Sequence, residues 1–497
     1  MTALRSRLEW PNILIALLVA LAVIFFNWLV WRAQWPLEID GNEAWNAYQV
    51  DRLAAGLPLY PPSDALIANN YPPLSFILAH WLTRVLSFDA IIIGRCLSLL
   101  GILITAAGCG FSTRVMGGGA AAVTLSVAWY VAAMSRHFDI FAGMNDPQIF
   151  AGSIMMAGMV CFIVAYRDRR SVIPAFALMV LAGFFKHNLF ATPATAIIWL
   201  LIHDRRTAMG AIAASIALIA AGFVVSTIAF GPDFLYQLLS PREIRFFRIV
   251  QRIGHMQWIA PAGVIVIIWI GQARNSWQAQ FCGLFCLCGL LSHLLQQTGE
   301  GVDTNSQFEL VTAIAIGLGL ALGGIGCRQA TSRMVQTTIL AVVILRLLLI
   351  SRFEPYLVLT SQTYRDNAQR SLTIVAKETD AIRKNVGLAV CTIPTVCRQA
   401  GQPFVVDRFI MSQKVAVGLL SAAELDARIR QAGISVVAID PNASTRLLSS
   451  EAKIGHILDH QRGLLPPHPA PTLRDSGHSA LLWRLVGGGV EAPLSLN

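Results

Sequence analysis

The stretch Ile39-Asp40-Gly41-Asn42-Glu43-Ala44-Trp45-Asn46-Ala47-Tyr48 stands between a long apolar run, residues 11–31, and the segment Asn69-Asn70-Tyr71-Pro72-Pro73. Two carboxylates three residues apart therefore fall just beyond a run long enough to cross a bilayer. Charge is costly to keep beside hydrocarbon, so acids at that boundary point to a functional site. Trp45 and Tyr48 are aromatic anchors of the kind enriched at membrane interfaces.

The rest of the chain agrees with a membrane setting. Of its 497 residues, 55% are hydrophobic and only 13% charged, and the mean hydropathy is +0.59. That places it in the polytopic α-helical membrane class. About 11 transmembrane helices are expected, near 11–31, 92–111, 118–134, 147–166, 172–185, 188–203, 209–230, 258–272, 277–294, 310–326 and 334–351. Arg5 and Arg7, Arg114, Arg167-Asp168-Arg169-Arg170, Asp204-Arg205-Arg206, Arg274, Arg328 and Arg333 all fall in alternate loops on one side. By the positive-inside rule that side is the cytoplasm, and an odd number of spans puts the C-terminus outside. These loops carry much of the net charge of +10, so no nucleic-acid partner is implied. The first apolar run is too long for a signal-peptide core and is read as retained.

From residue 352 onward charges become frequent and apolar runs shorten. Val386–Cys391, Phe404–Asp407, Ile434–Ile439 and Leu481–Val486 read as short strands. Ser421-Ala422-Ala423-Glu424 is a capping-box signature opening a helix with Leu425, Ile429 and Ala432 on one face. A Pro-rich stretch follows at Leu465-Pro466-Pro467-His468-Pro469. Two units are expected: a transmembrane domain, 1–351, and a small α/β domain, 352–497, outside the cytoplasm. Cys391 and Cys397 lie in that outer unit, where an oxidising compartment leaves a disulfide open. Cys282, Cys286 and Cys288 sit in an apolar helix and read as packing residues rather than a metal cluster.

The longest outer loop, roughly 32–91, shows helical spacing over Glu43–Ala55 and Leu74–Leu86. Both read as amphipathic helices on the outer membrane surface, with Trp45, Tyr48 and Leu53 able to face the bilayer. Other outer loops bring Arg136-His137-Phe138-Asp139 and Asn145-Asp146-Pro147, Lys186-His187-Asn188, the set Arg242, Arg245, Arg248, Arg252 and His255, and Glu300, Asp303, Asn305 and Glu309. Asp146 also suits plain capping of the helix that Pro147 opens. Arg245, Arg248 and Arg252 share a helical face, suited either to a donor phosphate or to phospholipid headgroups. Lys186 and His187, in a turn between two short apolar segments, fit phosphate contact. A divalent metal on His187 with Glu43 stays open, and no cofactor is certain.

At these residues the chain resembles the C superfamily of integral-membrane glycosyltransferases (GT-C), which includes protein O-mannosyltransferases and the aminoarabinose transferase acting on lipid A. The similar segments are Asp40–Tyr48, Gly56–Pro62, Asn70–Leu74, Asn145-Asp146-Pro147, Lys186-His187 and Gly301–Glu309. The resemblance implies a polyprenyl-phosphate sugar donor, a catalytic acid in the first outer loop and a second, Asp146, in the next. Relatives often carry adjacent acids, whereas here Gly41-Asn42 separates Asp40 from Glu43. Glu43 is aligned with the family acid and Asp40 is its partner, with the reverse assignment open. Lys186, His187, Arg245 and Arg248 are assigned to the donor phosphate. Tyr71, Asn145, Asn305 and Glu309 are assigned to substrate binding.

The expected activity is transfer of a hexosyl or pentosyl group to a glycan, lipid or protein acceptor at the outer face of a bacterial inner membrane. A carboxylate would serve as general base. The rival is a membrane transporter or lipid flippase. Transporters set ionisable groups near the bilayer midplane, often in paired repeats. Here the acids gather at one surface and no repeat is visible.

Overall fold

The computed structural model describes residues 10–36, 38–327, 332–349, 353–384, 387–391 and 393–438. The membrane part runs through α1 (Trp10–Ala33), α2 (Gly41–Ala54), α3 (Leu74–Leu86), α4 (Ala90–Val115), α5 (Ala120–His137), α6 (Pro147–Arg167), α7 (Ile173–Phe185), α8 (Ala191–His203) and α9 (Arg205–Phe230). It continues through the short α10 (Asp233–Leu238) and α11 (Arg248–Arg252), then α12 (Ala260–Gln272), α13 (Trp277–Gln297), α14 (Phe308–Leu322) and α15 (Arg333–Leu348). Among the described residues six helices are long and apolar enough to cross a membrane, or seven if the segment Arg248–Trp258 and α12, bent by 83°, count as one span. The chain is thus a polytopic helical membrane protein. All eleven apolar segments expected from the sequence are helical, but α7, α8 and α12 have 13 residues each and α15 has 16.

Apolar pattern decides which helix goes inside. Every residue of α14 is buried, as expected of a helix apolar all round and enclosed by neighbours. By contrast α9 buries only Ala208, Ala211, Ser215 and Ser226, and exposes Ile216, Val224 and Ile228, a surface fit for lipid. The turns gather at two ends. Gln278 donates to the Met116 carbonyl and Trp269 to that of Ile325, so three of the Arg-bearing turns meet at one end. Asn42, Asn145, Lys186 and Asn305 converge at the other through Asp146 and Gln148.

The C-terminal part sits on this second end. It comprises α16 (Glu354–Thr360), α17 (Gln362–Arg383), β1 (Leu388–Cys391), α18 (Pro394–Gln399), α19 (Arg408–Ala416), α20 (Ala422–Gln431) and β2 (Ile434–Ala438). β1 pairs in parallel with β2, Val390 facing Val437, and the crossover such a pair requires is supplied by the three intervening helices. Half of the capping box forms: the Glu424 N–H donates to Ser421 Oγ at 3.1 Å, while the Glu424 carboxylate accepts from Arg428 Nη2 at 2.6 Å. Leu425 and Ile429 are fully buried. Cys391 and Cys397 form a disulfide.

Two expectations are corrected. Phe404–Asp407 is not a strand. Asp407 is drawn instead to the first outer loop, its N–H donating to the Leu66 carbonyl at 2.8 Å. Tyr48 does not face the bilayer: it is 5% exposed, stacks on Phe404 with ring centres 5.0 Å apart, and donates to the Gln402 carbonyl. The C-terminal part covers Tyr48, which spacing alone assigned to lipid. The expected strand at Leu481–Val486, the Pro-rich stretch and the far end of the 352–497 unit lie outside the described residues.

Candidate functional site

Asp40 is the N-cap of α2, extended at φ −156° and ψ 148°, and its Oδ1 accepts the Asn42 N–H at 3.1 Å. Such capping satisfies a helix-end donor and explains why the helix begins there. One turn on, Glu43 points inward and is fully buried. Its Oε1 accepts from Arg95 Nε at 2.8 Å and from the Asn145 N–H at 2.9 Å. Its Oε2 accepts from Arg95 Nη2 at 2.6 Å and from the Ile39 N–H at 2.7 Å. Arg95, also wholly buried, anchors further on the Trp35 carbonyl. Removing one member of such a pair leaves an uncompensated charge, so it braces the site. Asn145 reaches this pair because Gly94 clears its path: a Cβ there would lie 1.6 Å from Asn145 Oδ1.

Asp146 lies in the same sealed layer. Its Oδ1 accepts the Gln148 N–H at 2.8 Å, capping α6. Its Oδ2 accepts from Asn42 Nδ2 at 3.0 Å and from Lys186 Nζ at 3.2 Å. Lys186 Nζ also stands 3.3 Å from the centre of the Tyr71 ring, a cation–π contact. With Lys186 and Asp146 both nearly buried, each charge has its partner within the protein.

Above this layer a cavity of about 470 Å³ opens between the outer loops and the C-terminal part. Asp40, Asn42 and Tyr71 from the first loop line it, with Arg242 from the loop after α10, Arg252 at the end of α11, and Asp303 and Asn305 from the segment before α14. Arg252 is half-buried and reaches Gln297 Oε1 at 3.4 Å. As an arginine it stays cationic. Asp407 closes the far side: Ile410 N–H and Trp45 Nε1 donate to it at 2.9 and 2.8 Å. Burial holds its carboxyl up at about 6, against the pull of those donors.

The structure therefore separates the residues grouped by sequence. Asp40, Tyr71 and Asn305 share the cavity. Glu43, Asn145 and Asp146 lie outside its lining. Glu309 does not line it either; its carboxylate accepts the Ala191 and Thr192 N–H groups at 3.0 and 2.8 Å at the start of α8. Of the residues assigned to the donor phosphate, Lys186 pairs with Asp146, Arg245 with Glu243 and Arg248 with Glu300. His187 is exposed and is not among the residues lining the cavity. The three arginines do not form one face, since α11 spans only Arg248–Arg252. The chemistry of the donor set does not fit a metal: Glu43 is saturated, and among the described residues no three His, Cys, Asp or Glu side chains converge.

Arg95 and Asp407 escaped the sequence reading. A lone arginine in an apolar run was a signal for the first. For the second, the signal was a carboxylate just before a helical segment.

No protein-family model matches the sequence, and no curated protein matches it. Solved structures do match in fold. The chain is similar to ArnT from Cupriavidus metallidurans in the apo state, at 11% identity and a TM-score of 0.56, over 87% of this chain and 94% of that one. It is also similar to the same protein bound to undecaprenyl phosphate, at 15% identity and a TM-score of 0.50, over 90% and 85%. ArnT is a lipid A aminoarabinose transferase of the GT-C type. The fold implied by the resemblance of the outer loops is the fold observed.

Proposed function

We propose that this chain is a membrane glycosyltransferase that moves a sugar from a polyprenyl phosphate to a hydroxyl-bearing acceptor, with Asp40 as the base. The observation that carries the reading is one cavity holding Asp40 together with Arg242 and Arg252 at the outer end of the fold. Undecaprenyl phosphate, bound by ArnT, is the class of lipid whose phosphate would meet these two arginines, with its hydrocarbon chain left outside the cavity. The acceptor hydroxyl gives its proton to Asp40 as its oxygen bonds to the anomeric carbon. The bond from that carbon to the phosphate oxygen breaks, and the phosphate leaves with its charge met by Arg242 and Arg252. Direct displacement of this kind inverts the anomeric centre.

Asp40 takes this role in place of Glu43 because a base needs an accessible lone pair, and all four of Glu43's donors come from the protein. Lys186 is assigned to bracing on the same ground. All eleven apolar helices belong to the membrane domain, residues 1–351, and residues 352–497 form the outer domain. The Arg-bearing turns face the cytoplasm of a bacterial inner membrane, so the cavity faces the periplasm.

The test is direct. Full-length protein in lipid nanodiscs is incubated with polyprenyl-phosphate hexoses and pentoses, with envelope extract as acceptor source. Release of polyprenyl phosphate with labelled sugar in the extract is the expected result. No release from any donor would overturn the reading.

A further inference from the structure

One wall of the cavity is the segment 403–407 that precedes α19. Both its ends are pinned to the first outer loop, through Tyr48 Oη to the Gln402 carbonyl at 3.1 Å and through the Asp407 N–H to the Leu66 carbonyl at 2.8 Å. Three aromatic side chains, Trp45, Phe404 and Phe409, line the cavity on this side, and each is half-buried rather than enclosed in a core.

Each ring is also held still. Trp45 is fixed by its bond to Asp407 and by the edge of Tyr71, with ring centres 4.9 Å apart. Phe404 is stacked on Tyr48. Phe409 lies against Gly301, whose φ is +74°, so closely that a Cβ there would meet Phe409 Cζ at 2.4 Å. Arg242 stands over the same ring at 5.6 Å. Fixed aromatic surfaces left facing a cavity, with carboxylates and guanidinium groups at its rim, match a ligand that is apolar on its faces and polar at its edge.

A sugar ring has that form, with C–H groups on its faces and hydroxyls around its circumference. A hydrocarbon chain does not, because it would have to pass Asp40, Arg242 and Asp303 and desolvate them without compensation. The volume, about 470 Å³, is that of a small-molecule site rather than a macromolecular surface.

We propose that Trp45, Phe404 and Phe409 form the acceptor subsite, and that the accepting group is a hydroxyl of a pyranose ring seated on them. The inference rests on the glycosyltransferase reading and names the substrate class of its second half. The ring hydroxyl that reaches Asp40 is the one that loses its proton there and gains the anomeric carbon of the donor.

The experiment uses full-length protein in nanodiscs and two kinds of probe. Methyl pyranosides and disaccharides of gluco, galacto and manno configuration report the acceptor subsite. Undecaprenyl phosphate reports the donor site. Binding is followed calorimetrically for the parent, Phe404→Leu and Phe409→Leu, with melting as a control on folding. At least one saccharide should bind the parent at millimolar concentration. Either variant that melts like the parent should weaken it about tenfold; undecaprenyl phosphate affinity is compared in Phe404→Leu, because Arg242 stands over the Phe409 ring, and should be unchanged there. Lipid binding without saccharide binding would overturn this inference and leave the donor reading standing. Saccharide affinity unchanged in both variants would overturn it too, as would transfer to peptides but not to glycans. Saccharide binding lost in the variants, with no lipid phosphate bound by the parent, would support the subsite and sink the donor reading.

Discussion

The sealed layer beneath the cavity and the cavity itself are built from the same residue types brought by the same loops, and they differ in what the charges meet. Below, Glu43 meets Arg95 and Asp146 meets Lys186 at salt-bridge distance with almost no solvent contact. Above, Asp40, Arg242 and Arg252 border open space. Two carboxylates three residues apart on one helix end thus have different work, because the helix turns one toward the span and the other toward the loops. Buried pairs of this kind are costly to assemble and more costly to break, so the lower layer holds the geometry while the upper one is left for ligand.

The largest expected effect tests the upper layer. Asp40→Asn removes the base but keeps an oxygen that can cap α2. Transfer should fall by roughly 10²–10⁴ with melting nearly unchanged. Retained transfer would move the base elsewhere and dissolve the contrast.

Glu43→Gln tests the lower layer. It leaves Arg95 buried without a counter-charge, and the loss in stability should be about 3–5 kcal/mol, read by thermal unfolding in detergent. An unchanged melting curve with lost transfer would exchange the roles of the two acids.

A smaller pair of effects sharpens the comparison. Arg252→Met should weaken undecaprenyl phosphate binding by about 1.5–3 kcal/mol and leave melting alone. Lys186→Met should do the reverse, because it leaves the Asp146 carboxylate without its ammonium partner and costs about 1–3 kcal/mol of stability. If Lys186→Met instead weakened lipid binding in folded protein, the lysine would belong to the cavity.

Much of this fold was legible in the sequence, since apolar runs and capping residues report local physics. All eleven apolar segments are helices, and Ser421 caps α20 as its position implies. The site was legible only as a neighbourhood. Nothing in the spacing of Asp40 and Glu43 shows that Arg95, 52 residues after Glu43, would take one of them. Nor does the run Phe404–Asp407 show that tertiary pull on Asp407 keeps it from pairing as a strand. Both outcomes depend on contacts distant in sequence, where local pattern carries no information.

The smallest effect concerns Glu38, which joins the two parts of the molecule. It is buried, and its Oε2 accepts the Thr395 N–H at 2.8 Å at the start of α18, within the disulfide loop. Burial pushes its carboxyl from 4.5 up to about 8, opposed by the Thr395 hydrogen bonds and assisted by Asp40 and Glu43 nearby. The folded state therefore holds a proton that the unfolded chain releases. The contribution to stability is fully present below 4.5 and is lost as pH rises through about 8. Glu38→Gln keeps an acceptor for Thr395 and removes the titration. Parent and variant should melt together below about pH 4.5, where the carboxyl is protonated in both states, and the variant should become steadily the more stable as pH rises toward 8. A variant less stable than the parent at high pH would mean that the carboxylate itself, rather than the neutral acid, holds the outer part on α2.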